Sequence, residues 1–193
     1  MIGGVDFNAE NHTYSKAGIP IPGVSSILDF MRLFPGKHFY KPEHAMRGTY
    51  VHTITELIDN NTLDWKTLDP SLRGYADAYQ EFVSEQSFKW EYTEQKLFNE
   101  ELWYCGTTDR IGDFRNEPSV VDFKSGKGTL VPAHGVQTAA YDMCIPGPNR
   151  KRWIVYLRPN GTYKIYECED KTDYAAFKHG AWLYQWSKGK KLI

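Results

Sequence analysis

A chain of 193 residues with 41% apolar, 15% aromatic and 24% charged side chains can bury roughly 70% of its unfolded surface, which excludes a largely disordered protein and any need for a disulfide or metal staple. Its longest unbroken apolar run is the five residues Trp153–Leu157, against the 20 or so that a membrane helix needs, so no membrane partner is expected. Three scattered cysteines (Cys105, Cys144, Cys168) and no signal-like start point to a reducing, cytoplasmic setting, and the net charge of −1 conceals a −7 balance over residues 1–143 and +6 over 144–193.

Taken in chain order, Gly18, Pro20, Pro22 and Gly23 predict a turn leading into a short helix at Val24–Phe30. Residues 42–60 carry Val51, Ile54, Leu57 and Ile58 near one helical stripe. Asp69-Pro70 is a helix start, Asp as cap and Pro at the first position, for a helix running to about Ser87. The first 87 residues are thus expected to be mostly helical. Three aromatic and β-branched stretches follow, Lys89–Phe98, Leu102–Phe114 and Ser119–Lys124, then a helix over Pro132–Ile145. Arg152–Arg158 and Thr162–Cys168 form a hairpin about Asn160-Gly161, and an amphipathic helix spans Lys171–Gln185. The predicted fold class is α/β (α+β), with one central mixed sheet flanked by helices in a single domain, 1–193.

Chemistry concentrates between Gly106 and Gly126. By strand alternation Asp122 and Lys124 share a face, while Val121 and Phe123 point to the other. A turn centred between Arg115 and Asn116 pairs residues whose numbers sum to 231, which sets Asp109 opposite Asp122. Facing carboxylates repel, and a hard cation such as Mg²⁺ or Mn²⁺ between them removes the penalty. The plain structural alternative is a turn Asp and a solvated Asp/Lys strand face. Gln137 and Tyr141 are four apart on the following helix and share a face; His52 and Glu56 do so on an earlier one. The basic C-terminal quarter is compatible with a polyanion-binding edge or with a solvated lysine-rich surface.

Gly-x-x-Asp at 106–109, Asp-x-Lys at 122–124, Gln-x-x-x-Tyr at 137–141, an upstream Gly-x-x-x-His at 48–52 and the segment Ile21-Pro22-Gly23-Val24-Ser25-Ser26-Ile27-Leu28 together resemble the PD-(D/E)XK nuclease superfamily, in its RecB-like and phage-type exonuclease branch. The resemblance covers about residues 20 to 170. It implies a restriction-endonuclease-like core. It also implies Mg²⁺ or Mn²⁺ held by His52, Asp109, Asp122 and the Phe123 carbonyl, with Glu94 and Glu56 as further candidates. Lys124 would orient or deprotonate the attacking water, and Gln137 and Tyr141 would touch the DNA strand. Position 121 is Val, so no Pro fills the position before Asp122.

The expected activity is a phage-like DNA exonuclease acting in recombination, repair or degradation, with linear or single-stranded DNA ends as substrate and a recombinase or single-strand-binding protein as candidate partner. A structure-specific endonuclease, a silent nucleic-acid-binding module and an RNA endonuclease of the cap-snatching type are the rivals. Three cysteines cannot build a Cys₄ iron–sulfur cluster within one chain, and no Cys/His spacing suits zinc. Expected DNA contacts are Lys127, Gln137, Tyr141, Arg150, Lys151 and Arg152, with the Lys188–Lys191 tail.

Overall fold

The computed structural model describes residues 5–8, 13–33, 42–126 and 128–193. Three short strands, β1 (Asp6–Asn8), β2 (Thr13–Lys16) and β3 (Ile19–Ile21), form a small antiparallel sheet before α1 (Val24–Phe30). Helices α2 (Pro42–Asp59) and α3 (Pro70–Glu85) come next. Strands β4 (Phe88–Asn99), β5 (Tyr104–Phe114) and β6 (Glu117–Ser125) lead to α4 (Pro132–Asp142), and β7 (Lys151–Leu157) and β8 (Tyr163–Glu167) lead to α5 (Thr172–Gly189). The fold is α+β with a central mixed sheet. Its strand order is β4-β5-β6-β7-β8, antiparallel throughout except for the parallel pair β6–β7 joined through α4.

Both faces of that sheet are covered. On one, Val51, Ile54, Tyr79 and Phe82 from α2 and α3 pack on Phe114, Val121, Phe123 and Trp153. On the other, α1, α4 and α5 bring Ile27, Leu28, Val136, Ala140 and Phe177 onto Leu97, Tyr104, Ile111 and Val120. The N-terminal helices therefore share one core with the sheet. The expectation of a mostly helical first 87 residues needs one correction, since β1–β3 precede the helices. Strands of three or four residues containing Pro20 carry too little alternation to register as strands.

Local chemistry explains the boundaries that matter for the site. The Asp69 carboxylate caps α3 by accepting the Ser71 N–H at 2.8 Å, with Pro70 next to it. The β5–β6 turn has positive φ at both Arg115 (55°) and Asn116 (65°), the two-residue geometry that matches the twist of the flanking strands. Arg115 tolerates it because its guanidinium donates to Gln86 Oε1 (3.1 and 3.0 Å) and lies over the Trp153 and Phe114 rings. That turn fixes the register: Phe114 pairs with Glu117 and Arg110 with Val121, each pair summing to 231.

Candidate metal centre and active site

The β5–β6 ladder ends at Arg110–Val121, one step short of Asp109 and Asp122. There the strands part. The Phe123 N–H, which would continue the ladder, donates to Asp109 Oδ2 at 2.5 Å, so the carboxylate lies between the two strands. In an extended strand a residue's N–H and C=O turn to the same neighbour, so the Phe123 carbonyl faces the same gap. The register also brings a third acid level with these two. Thr93–Arg110 and Gln95–Thr108 bracket Glu94 and Asp109 on β4 and β5. Glu94 itself has φ 48°, a left-handed conformation that costs a non-glycine residue about 1–3 kcal/mol and turns its side chain away from the regular pleat.

From α2, His52 completes the cluster. Its Nδ1 lies 3.1 Å from Asp109 Oδ1 and 3.5 Å from Glu94 Oε1, and ligand atoms of His52, Glu94 and Asp109 all fall within 4.8 Å of one another. Asp109 and Asp122 are buried, at 4% and 2% exposure. Asp122 is turned to the other side of the gap, where Lys124 Nζ is 2.6 Å from its Oδ2. Lys124 also donates to Gln137 Oε1 (2.9 Å), and Gln137 Nε2 donates to the Tyr141 hydroxyl (2.9 Å). Glu56, one turn beyond His52, is exposed and outside the cluster. The α2 acid that faces the sheet is Asp59, two turns beyond His52.

The electrostatics differ sharply between the two aspartates. The Asp109 carboxylate raises His52 to about 10 against the opposing effect of burial, so the imidazole is cationic at neutral pH. Burial pushes Asp109 up, but the charge and hydrogen bond of His52, the charge of Lys124 and the Phe123 N–H outweigh it, and the net shift is downward. For Asp122 burial wins over Lys124 and raises the carboxyl to about 6. Burial also raises Tyr141, which keeps its hydroxyl proton and remains a donor. His52 is thus the nearest cation to Asp109, and Lys124 to Asp122, while each aspartate feels both charges.

The donor set fits a hard divalent ion. It is oxygen-rich with one imidazole, and Glu94 Oε1 is buried yet accepts no hydrogen bond among the described residues. His52, Glu94 and Asp109 would hold such an ion, with Asp122 and the Phe123 carbonyl on the same gap.

The glycine of Gly-x-x-Asp has a packing reason. A Cβ on Gly106 would stand 2.7 Å from the Tyr141 ring and 2.9 Å from Val24. The segment around Val24 is anchored beside it, Cys105 donating its N–H to Pro22 O at 2.9 Å. Gly106→Ala is expected to cost about 1–3 kcal/mol by overpacking and to push Tyr141 off Gln137, measurable by denaturant unfolding.

Arg150, Lys151 and Arg152 stand elsewhere. Lys124 is level with Tyr156 on β7, so these residues lie roughly 13–20 Å away along the chain, at the far end of the sheet. They are also engaged. Arg152, 3% exposed, binds Gly135 O, Asp170 O and Asp173; Arg150 binds Asp142; Lys151 pairs with Glu167. They therefore stand apart from the gap at Asp109 and Asp122. Lys127 lies outside the described residues.

The fully buried Arg110 is a residue of the site that motif and spacing do not single out. Its guanidinium bonds Asp59 Oδ2 twice (3.0 and 2.7 Å), Thr55 Oγ1 (3.1 Å) and the Asp109 carbonyl (2.8 Å), while the Tyr79 hydroxyl donates to Asp59 Oδ1 (2.7 Å). A signal was present, since Arg110 alternates onto the face of Val121 and Phe114, which is otherwise apolar.

No protein-family model matches the sequence, and no curated protein matches it. Among solved structures, the crystal structure of SSO0001 is similar over 82% of this chain and 67% of that protein, at 19% identity and a TM-score of 0.41, a likeness too remote to carry an argument.

Proposed function

We propose that this protein is a divalent-metal-dependent nuclease that hydrolyses DNA phosphodiester bonds, acting as an exonuclease on linear ends. The observation that carries the proposal is the parted β5–β6 gap, where His52, Glu94 and Asp109 converge, with Asp122 and Lys124 on its other side. A bound Mg²⁺ or Mn²⁺ would relieve phosphoryl charge and lower the pKa of a water.

The chain's own residues do the rest. Asp122 and Gln137 hold the Lys124 ammonium at the edge of the gap, where it orients a water by donating to its oxygen. Tyr141, protonated and fixed through Gln137, donates to a phosphate oxygen without reading base sequence. Burial of both aspartates excludes bulk water and strengthens each of these contacts.

End-labelled linear DNA and covalently closed circular DNA, each with Mg²⁺, Mn²⁺ or EDTA, test this. Metal-dependent loss of the linear form with the circle intact is expected. Cutting of the circle would make the protein an endonuclease on the same site, and no cleavage of DNA or RNA with any divalent metal would leave a binding module.

A further inference from the structure

The last helix carries a surface that the cleavage chemistry does not use. Residues 174–193 contain Lys178, Lys188, Lys190 and Lys191 and no acid. Helix α5 buries Phe177, Gly180 and Ala181 against the core and leaves Trp182 62% and Trp186 44% exposed. Two tryptophans four residues apart stand on one helix face, their Cβ atoms about 5–6 Å apart. Leu183, also exposed, extends the apolar strip. Exposed indoles followed by Lys188, Lys190 and Lys191 at the end of the helix suit a partner that is flat, apolar and anionic together.

We propose that the C-terminal half of α5 is a stacking platform for single-stranded nucleic acid. Bases supply the flat apolar faces, and the backbone supplies the negative charge that Lys188, Lys190 and Lys191 would neutralise, Lys178 being paired with Glu101 at 3.7 Å. A second copy of this chain fits poorly, because self-association would set the lysines of one helix against those of the other. The position is also apt. Gln185, next to Trp186, donates to Trp103 O (2.8 Å) in the β4–β5 turn, and from Trp103 the chain enters β5 and passes Gly106 to Asp109. The platform thus sits at the end of the sheet where β5 begins. It goes beyond the cleavage proposal and does not depend on it.

The test is binding of a fluorescein-labelled oligo(dT) of about 20 nucleotides by the full chain in EDTA, across a range of salt. Wild type is expected to bind with quenching of tryptophan fluorescence, the signature of stacking. W182A/W186A is expected to bind about 30-fold or more weakly with an unchanged melting temperature, and W182F/W186F to recover most of the loss. Replacing Lys188, Lys190 and Lys191 by Ala should shallow the salt slope by about 2 units. The proposal is overturned if W182A/W186A binds like wild type, if indole fluorescence responds to phosphatidylglycerol vesicles and not to oligo(dT), or if the tryptophans instead govern the sedimentation mass. Oligo(dT) binding lost with the tryptophans, in a protein that cleaves nothing with any metal, would uphold the platform and remove the nuclease.

Discussion

Replacing Asp122 by Asn is expected to make the metal-free protein more stable at pH 7, by on the order of 2 kcal/mol, while abolishing metal-dependent cleavage. The carboxyl is raised to about 6 by burial. A group whose folded value exceeds its unfolded one favours the folded state fully below about pH 4, and that contribution is lost as the pH rises through 6. At neutral pH the ionised side chain is therefore a net cost that Asn removes, and the stability profile between pH 4 and 6 should flatten. Asp109→Asn should move the other way. Its carboxylate is lowered by His52 and accepts the Phe123 N–H, so it contributes stability at neutral pH that is lost as the pH falls through its folded value. His52, raised to about 10, contributes fully below about pH 6.5 and stops contributing above 10. Both Asp variants should lose roughly 10³-fold or more in cleavage rate, the scale on which one charge-stabilising group acts. Denaturant melts from pH 4 to 10 in EDTA, beside the end-label assay, check both signs. A large loss of metal-free stability in Asp122→Asn would make that acid structural.

The second large effect is expected at Arg110. Its guanidinium is fully buried and ties α2, α3 and β5 together through Asp59, Thr55 and the Asp109 carbonyl, with the Tyr79 hydroxyl closing the network on Asp59. Arg110→Ala leaves the Asp59 carboxylate facing an empty space and should cost about 3–5 kcal/mol. Arg110→Met, which refills the volume, combined with Asp59→Leu, should recover most of that, because a buried ion pair replaced by apolar groups is often neutral in stability. Metal affinity separates packing from positioning. Asp59 lies on the same face of α2 as His52, two turns on, so the double variant should hold its fold but bind Mn²⁺ more weakly by calorimetry. Unchanged affinity in the double variant would mean that α2 is seated by its apolar contacts alone.

Much of this was legible in the sequence, and the reasons are physical. A two-residue turn fixes strand register, so locating it between Arg115 and Asn116 was enough to predict which residues of β5 and β6 face each other. Strict alternation put Asp122 and Lys124 on one side and Val121 and Phe123 on the other, as their partners now show. What pairing rules cannot convey is that the strands part at Asp109. The loss of the ladder depends on a carboxylate taking a backbone N–H, and on a histidine arriving from a helix more than fifty residues earlier. The partners of the basic stretch 150–152 were not legible, because a charge count ignores burial. Arg152 is consumed by Asp173 and two carbonyls, and nothing in its neighbours in sequence announces them. Spacing from His52 singles out Glu56, whereas the sheet places a counter-charge, Arg110, beneath Asp59.

The contact of Gly23 with Cys105 joins segments some eighty residues apart and runs beside the part of β5 that β6 has left. The hairpins β4–β5–β6 and β7–β8 close over short loops and can form early, whereas this contact carries one of the largest loop-closure costs in the chain. The wall that holds Gly106 and Tyr141 is therefore finished only when the N-terminal segment has docked. A growing or misfolded chain can own every acid of the cluster and still lack the pocket, so competence is tied to completion of the fold.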